Sequence, residues 1–222
     1  MKKKILLLIC TNIFLLSFSQ QDSIKYDFSF QFKEGIYFNF NQLKYNLPLA
    51  FNKIINFPEG ENEFEFFDTV IHLKFYDEYG ILKEINKKDI WGYSIGGKPY
   101  IFFANKFNMI PSLGTISYFV TTVFVTRYYG GDYNPFYGGF YENYPIRSYK
   151  EAELRQFFLS MKTGKIFEYD EKNVSMLIKD DSQLSEQFEK LSKRKQKKQK
   201  YDFIIKYNER HPLYILEIKN EK

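Results

Sequence analysis

IWGYSIGGKPYIFFANKFNMIPSLGTISYFVTTVFV, residues 90–125, is the densest run of β-forming residues in the chain, and its reading sets the fold class. Gly96-Gly97 forms a two-residue connection between apolar runs. A type I′ turn needs φ > 0 at both central residues, so the pair predicts a hairpin of residues 90–95 with 98–104. Counting outward pairs Ile95 with Lys98, Ser94 with Pro99, Tyr93 with Tyr100 and Trp91 with Phe102. Pro99 then falls where its missing N–H points away from the partner strand, which predicts little pairing on the outer side. Alternation places Trp91, Tyr93, Tyr100 and Phe102 on one face and Ile90, Ile101 and Phe103 on the other, so both faces need cover. Pro111-Ser-Leu-Gly114 interrupts the pattern. Thr115–Thr126 resumes it and reads as a third, central strand, bulged near Thr121-Thr122. Trp91, the only tryptophan, reads as a core residue.

Upstream of this stretch, Tyr26, Phe28, Phe30 and Phe32 alternate with other residues and predict a half-buried strand within residues 24–40, with Ile36–Phe40 a second. Asn41–Asn46 reads as a turn or a single helical turn stopped at Pro48. Phe64–Phe67, Val70–Phe75 and Ile81–Ile85 read as short strands, the last two joined by the turn Asp77-Glu-Tyr-Gly80. Downstream, Phe157–Met161 and Lys165–Tyr169 flank Lys162-Thr-Gly164, a hairpin loop with glycine at the left-handed position. Asn173–Lys179 predicts a short helix. Asp181 or Ser182 then caps a continuous helix over 182–208, roughly 40 Å long. Leu213–Ile218 follows His211-Pro212 as a closing strand. The fold class expected is α+β: mainly antiparallel strands in a meander, sandwich or partly open barrel, with a long C-terminal helix.

The first nineteen residues read as a signal peptide, with residues 20–222 as a single β-rich domain. Lys2-Lys3-Lys4 is a basic n-region, Ile5–Phe18 an apolar stretch and Ser17-Phe18-Ser19 a small-x-small pattern, with cleavage expected near Ser19 or Gln20. The stretch falls short of the roughly 18–20 apolar residues of a spanning helix, so export to the periplasm or beyond is expected, with no transmembrane span after cleavage. Loss of three lysines lowers the formal charge from +5 by three units, to +2. Cys10, the single cysteine, leaves with the leader, and with it any thiolate chemistry or intramolecular disulfide.

Two segments stand apart in composition. Residues 127–149, RYYGGDYNPFYGGFYENYPIRSY, read as a long surface loop, and Tyr128, Tyr129, Tyr133, Tyr137 and Tyr141 on its glycine-rich frame are candidate contacts for sugar rings or a protein partner. Residues 190–200, KLSKRKQKKQK, carry seven basic residues in eleven. There Lys193, Arg194, Lys195, Lys197 and Lys198 are candidate contacts for a polyanionic surface. A solvated helix face is the rival explanation. No specific nucleic-acid motif accompanies the run, and aromatics are not interleaved with it.

Glu34-Gly-Ile-Tyr-Phe-Asn-Phe40, Ile90-Trp-Gly-Tyr93 with Lys98-Pro-Tyr-Ile101, Lys162-Thr-Gly-Lys-Ile166 and Lys206-Tyr-Asn-Glu-Arg-His-Pro-Leu-Tyr214 together resemble a family of uncharacterised secreted proteins of Bacteroidota. The Ser-Gln end of the leader is similar to that group too. The resemblance implies an envelope location and brings no functional residues with it.

Catalytic signatures are sparse. His72 and His211 are the only histidines and stand in no metal-ligand spacing; no GxSxG, P-loop or GxGxxG occurs. His72 reads as a core or edge residue, and His211 as a partner of the last helix carbonyls. Paired carboxylates such as Glu63/Glu65 or Asp180/Asp181 could serve acid–base chemistry, the second better explained as helix capping. The expectation is therefore a non-catalytic exported binding or structural module, with no cofactor and no metal. Its partner would be an envelope protein, a glycan or an anionic surface. The alternatives are a glycan-binding module using the Tyr-rich loop and a hydrolase built on a carboxylate pair.

Overall fold

The computed structural model describes residues 22–58, 60, 63–129, 133–134, 139–140 and 147–217, so the expected leader lies outside the described residues. The chain enters as β1 (Asp22–Lys25) and β2 (Gly35–Tyr37). The anticipated strand through Phe28–Phe32 does not form. There Asp27 ties a local turn by accepting the Ser29 N–H at 2.8 Å. Asn39 caps α1 (Phe40–Lys44) by accepting the Gln42 N–H, and Gln42 Oε1 in return accepts the Phe38 N–H at 2.6 Å, a reciprocal arrangement that fixes the chain's entry to the helix.

Residues 64–67, expected as a strand, belong instead to helix α2 (Glu63–Thr69). Glu63 and Glu65 sit in its first turn, where negative charge suits the positive helix end. Phe67, 1% exposed, stacks on Tyr93 at 3.9 Å. β3 (His72–Tyr76) and β4 (Leu82–Asn86) then form the expected hairpin.

β5 (Gly92–Ile95) and β6 (Lys98–Phe103) pair in the anticipated register, Ile95↔Lys98, Ser94↔Pro99 and Tyr93↔Tyr100. Gly96 and Gly97 have φ of 57° and 71°, as a type I′ turn requires. The Phe102 N–H reaches the Trp91 carbonyl at 2.8 Å. Two details differ. The outer side of β6 is paired after all, with β7 (Lys106–Met109) from Tyr100 onward, because Pro99 still offers its carbonyl to the Ile110 N–H at 3.1 Å. Trp91 and Ile90 exchange sides: Ile90 lies in the core with Tyr93, whereas Trp91 packs with Ile101 and Phe103. Strand alternation starts only at Gly92, since the Trp91 N–H bonds the Tyr37 carbonyl.

β8 (Ile116–Tyr129) is not a third strand of that hairpin. It is the edge of a separate sheet and runs without a bulge against β11 (Arg147–Ser160), from Ile116↔Ser160 to Tyr129↔Arg147. The predicted loop 127–149 is thus shortened at both ends by strand pairing. Within it β9 (Tyr133–Asn134) pairs with β10 (Gly139–Phe140). β12 (Ile166–Glu168) follows the Lys162-Thr-Gly164 loop as expected, with Gly164 at φ 72°.

The helix anticipated over 182–208 is broken. α3 (Glu171–Leu177) is followed by α4 (Ser182–Glu189) and α5 (Lys193–Arg210), and β13 (Tyr214–Glu217) closes the chain against β1. The sheets are β2-β5-β6-β7, β12-β11-β8, β3-β4, β1-β13 and the short β9-β10 pair; every pairing is antiparallel. The fold is α+β, and no closed barrel forms among the described residues.

Among the described residues, three apolar clusters hold the layers. Phe119, Phe157 and Leu159 from the β8-β11 ladder meet Tyr37 and Ile101 from the β2-β5-β6-β7 sheet. On the ladder's other face Ile116 and Phe158 meet Val174, Leu184, Phe188, Phe203 and Tyr207 of the helices. Ile36 and Tyr93 face Phe67 and Leu73 on the far side of the four-stranded sheet. The order is therefore helices, ladder, sheet, and then α2 with the β3-β4 hairpin.

The sheet leaves no space at Gly92, where a Cβ would stand 2.2 Å from the Tyr100 carbonyl oxygen. Gly92→Ala is expected to lower stability by about 1–3 kcal/mol, because the obstacle is backbone and has no rotamer to adopt. Urea unfolding of the two proteins measures this, and an unchanged midpoint would contradict the pairing described.

Candidate polyanion-binding surface

Helix α4 stops at Lys190, and Ser192 takes an extended conformation (φ −62°, ψ 151°) before α5 begins. The buried Gln196 side chain then donates from Nε2 to the Phe188 carbonyl at 3.0 Å, adding to the Leu191 N–H that the same carbonyl accepts at 3.1 Å. The chain reverses here. Phe188 meets Phe203 at 4.9 Å, and Arg210 Nη2 donates to Gln183 Oε1 at 2.9 Å, so α5 runs back along α4.

This reversal sorts the basic residues of 190–200 into three roles. Lys190 pairs with Glu186 at 2.6 Å. Lys200 is 8% exposed and donates to the Tyr169 carbonyl at 2.8 Å, with its Nζ 4.2 Å from that ring's centroid. Burial lowers its pKa, Glu171 and Asp170 oppose that, and Lys197 adds to it. Lys200 is therefore a structural contact. Lys193, Arg194, Lys195, Lys197 and Lys198 are all exposed, and among the described residues none has an ion-pair partner.

These five charges lie at the wrong end of their helix. The N-terminus of a helix carries partial positive charge, so cations in the first turn oppose it by about 0.3–1 kcal/mol each at low salt. The first turn of α5 has no acidic residue, and the Ser192 side chain makes no capping hydrogen bond. Lys193/Lys197 and Arg194/Lys198 are like-charged neighbours at i, i+4, a further small cost. At 100° per residue the five side chains spread over roughly 200° of the helix circumference and about 8 Å of its length. They form a convex face and do not converge on a cleft, which suits an extended anionic surface better than a small ion.

The tyrosine candidates lie elsewhere. Tyr128, 73% exposed, projects from the outer half of the β8-β11 ladder. Tyr129 stands opposite Arg147 and Tyr133 opposite Phe140, while Tyr137 and Tyr141 lie outside the described residues. Phe124 and Leu154, 70% and 75% exposed, share the face of Tyr128 by strand alternation. On the opposite face Arg127 pairs with Glu151 and Glu153, and Arg155 with Glu153.

Asp180 and Asp181 are both occupied. Asp181 caps α4 by accepting the Leu184 N–H at 2.9 Å and also holds Arg210 (2.9 Å) and His211 (3.0 Å). His211 thus anchors Asp181 as well as donating its backbone N–H to the Tyr207 carbonyl. Asp180 pairs with Lys162 and accepts the Tyr207 hydroxyl at 2.7 Å. These contacts pin α5 to α4 and to the β11-β12 loop. Glu63 and Glu65 lie on the first turn of α2, and His72, expected in a core or at an edge, is an exposed edge residue beside Glu84 at 3.3 Å. Among the described residues no cluster of potential metal ligands occurs, and no helix is long and apolar enough to cross a membrane.

No family model matches the chain, and no curated protein or solved structure matches it.

Asp181 has its pKa lowered first by the Leu184 N–H, against an opposing effect of burial, and then by His211 and Arg210. A carboxylate with a lower pKa folded than unfolded contributes stability that is complete above the unfolded value of about 3.9 and is lost as pH falls through the folded value. Asp181→Ala is therefore expected to lower the Tm at pH 7 by about 2–6 °C, with the gap narrowing below pH 4; melting curves from pH 7 to pH 2 test this. The charge argument predicts the opposite sign at the other helix: Lys193→Glu with Arg194→Glu raises stability at low salt by about 0.5–2 kcal/mol, read by urea unfolding.

Proposed function

We propose that the protein acts outside the cytoplasm as a non-catalytic binding module, held to a phosphate-bearing anionic surface by the N-terminal end of α5. The observation that carries this reading is the set of five exposed cations, Lys193, Arg194, Lys195, Lys197 and Lys198, without ion-pair partners among the described residues. A face that merely stays solvated gains from interleaved acids, as Glu186 and Lys190 do one helix earlier. Here three of five like charges sit in the first turn against the helix dipole, and a surface of phosphates relieves both the dipole conflict and the mutual repulsion. The leader-like residues 1–19 support export. Attraction to an anionic bilayer is worth about 1 kcal/mol for each lysine or arginine close to it.

The test is sedimentation with vesicles of zwitterionic lipid, with and without anionic lipid, at low and high salt. Wild type is expected to bind only the anionic vesicles, and to release them at high salt. Replacing Lys195, Lys197 and Lys198 by Gln is expected to weaken binding about 100-fold. Equal binding by the variant, or binding indifferent to salt, would remove the reading. Stronger retention on polyphosphate or sulfated-glycan beads than on vesicles would reassign the surface from lipid to polymer.

A further inference from the structure

We propose a second binding site, independent of α5: an open groove between residues 38–55 and the β3-β4 hairpin that takes a short neutral oligosaccharide. The groove encloses about 860 Å³, within the range of small-molecule sites. Its floor is apolar, with the half-buried rings of Phe38 and Phe75 5.2 Å apart and Leu49 beside them. Ile55 and Tyr76, each more than half exposed, also line it.

Hydrogen-bonding groups stand around this floor without partners. Among the described residues the side chains of Asn52, Lys53 and Glu78 make no hydrogen bond or ion pair, and Gln42 uses only its carbonyl oxygen, on the Phe38 N–H, leaving its amide donors free. The set mixes donors and acceptors over aromatic faces. A sugar ring presents the matching pattern, C–H faces against the rings and hydroxyls that both donate and accept. An acyl chain would desolvate the polar rim without return. An extended peptide would need a free strand edge, but β3 is paired with β4 on one side and bridged by Ile54 and Ile55 on the other, the Ile55 N–H reaching the Lys74 carbonyl at 2.7 Å. Lys83 pairs with Asp77 at 3.5 Å, which leaves Glu78 against Lys53 at the rim, a balance of charge that points to an uncharged ligand.

The groove is held open by its own hydrogen bonds. Asn56 stitches the 51–57 segment to β3, donating to the His72 carbonyl and accepting the Lys74 N–H, both at 3.0 Å. Asp77 locks the hairpin tip by accepting the Tyr79 and Ile81 N–H groups at 3.0 and 2.8 Å. Walls fixed in advance lower the ordering cost of binding.

The experiment is titration of the isotopically labelled protein with maltotetraose, cellotetraose, mannotetraose and chitotetraose, and with a fatty acid and polyphosphate as competing chemistries. At least one tetrasaccharide is expected to shift the resonances of Asn52, Phe75 and Tyr76, with the fatty acid and polyphosphate leaving them in place. Tyr76→Ala and Glu78→Gln should each weaken that binding about tenfold. Asn52→Ala, at an exposed position, serves if a hairpin variant melts early. The variant lacking Lys195, Lys197 and Lys198 should bind the sugar as wild type does, which separates this site from the anionic surface. Silence toward all four sugars, undiminished binding by Tyr76→Ala with Asn52→Ala, or preference for the fatty acid would overturn the assignment.

Discussion

The pairing of β8 with β11 over fourteen residues of each strand is the constraint on which the other layers depend. Its inner half has two apolar faces, one carrying Phe119, Phe157 and Leu159 and the other Ile116 and Phe158. Successive residues of a strand point to opposite sides, so each face demands its own cover. One receives the β2-β5-β6-β7 sheet and the other the three helices. A one-residue slip would exchange these sets and strand both partners, and Asn208 guards against it by accepting the Ile116 N–H and donating to the Ile116 carbonyl, both at 2.8 Å. Thr115 adds a hydroxyl bond to the His211 carbonyl. The last helix thereby sets the register of the strand it covers.

Much of the local structure was legible in the chain because backbone geometry demanded particular residues. Gly96-Gly97 and Gly164 occupy turn positions with φ > 0; both hairpins form, the first in the anticipated register. Sequence and structure part where two periods fit the same letters. Phe64, Phe66 and Phe67 read as strand residues, yet Phe67 followed by Val70 also fits a helical stripe, and the acids at 63 and 65 favour its first turn. Thr115–Thr126 lies elsewhere than expected for another reason. Its β propensity was plain, but its partner was β11, some thirty residues downstream, and a single sequence carries no record of which distant strand it meets.

The break in the C-terminal helix follows from the phase of its buried residues. A stripe starting at Leu184 and Phe188 and advancing 3.6 residues per turn reaches Lys195, Gln199 and Asp202, whereas the buried residues are Gln196, Lys200, Phe203, Ile204 and Tyr207. A straight helix cannot bury both sets on one side, so it must restart, and Ser192 supplies the start. Without that restart the basic run appears as one uniform block. With it, Lys200 turns inward onto Tyr169 and only five cations are left on the candidate surface, a division that counting charges does not reveal.

The position of those cations is tolerable because α5 is anchored by its buried face, through Gln196 near its start and more heavily further along. Its second half is held by Phe203, Ile204 and Tyr207 in the core, by the Tyr207 hydroxyl on Asp180 and by the bonds of Asn208. Helix propagation from such an anchored segment costs far less than nucleation, so the N-terminal turns persist although their charges oppose the dipole. Tertiary packing at one end of a helix thus frees the other end to carry a charge pattern unfavourable in isolation, and an opposing surface of phosphates would turn that local penalty into attraction.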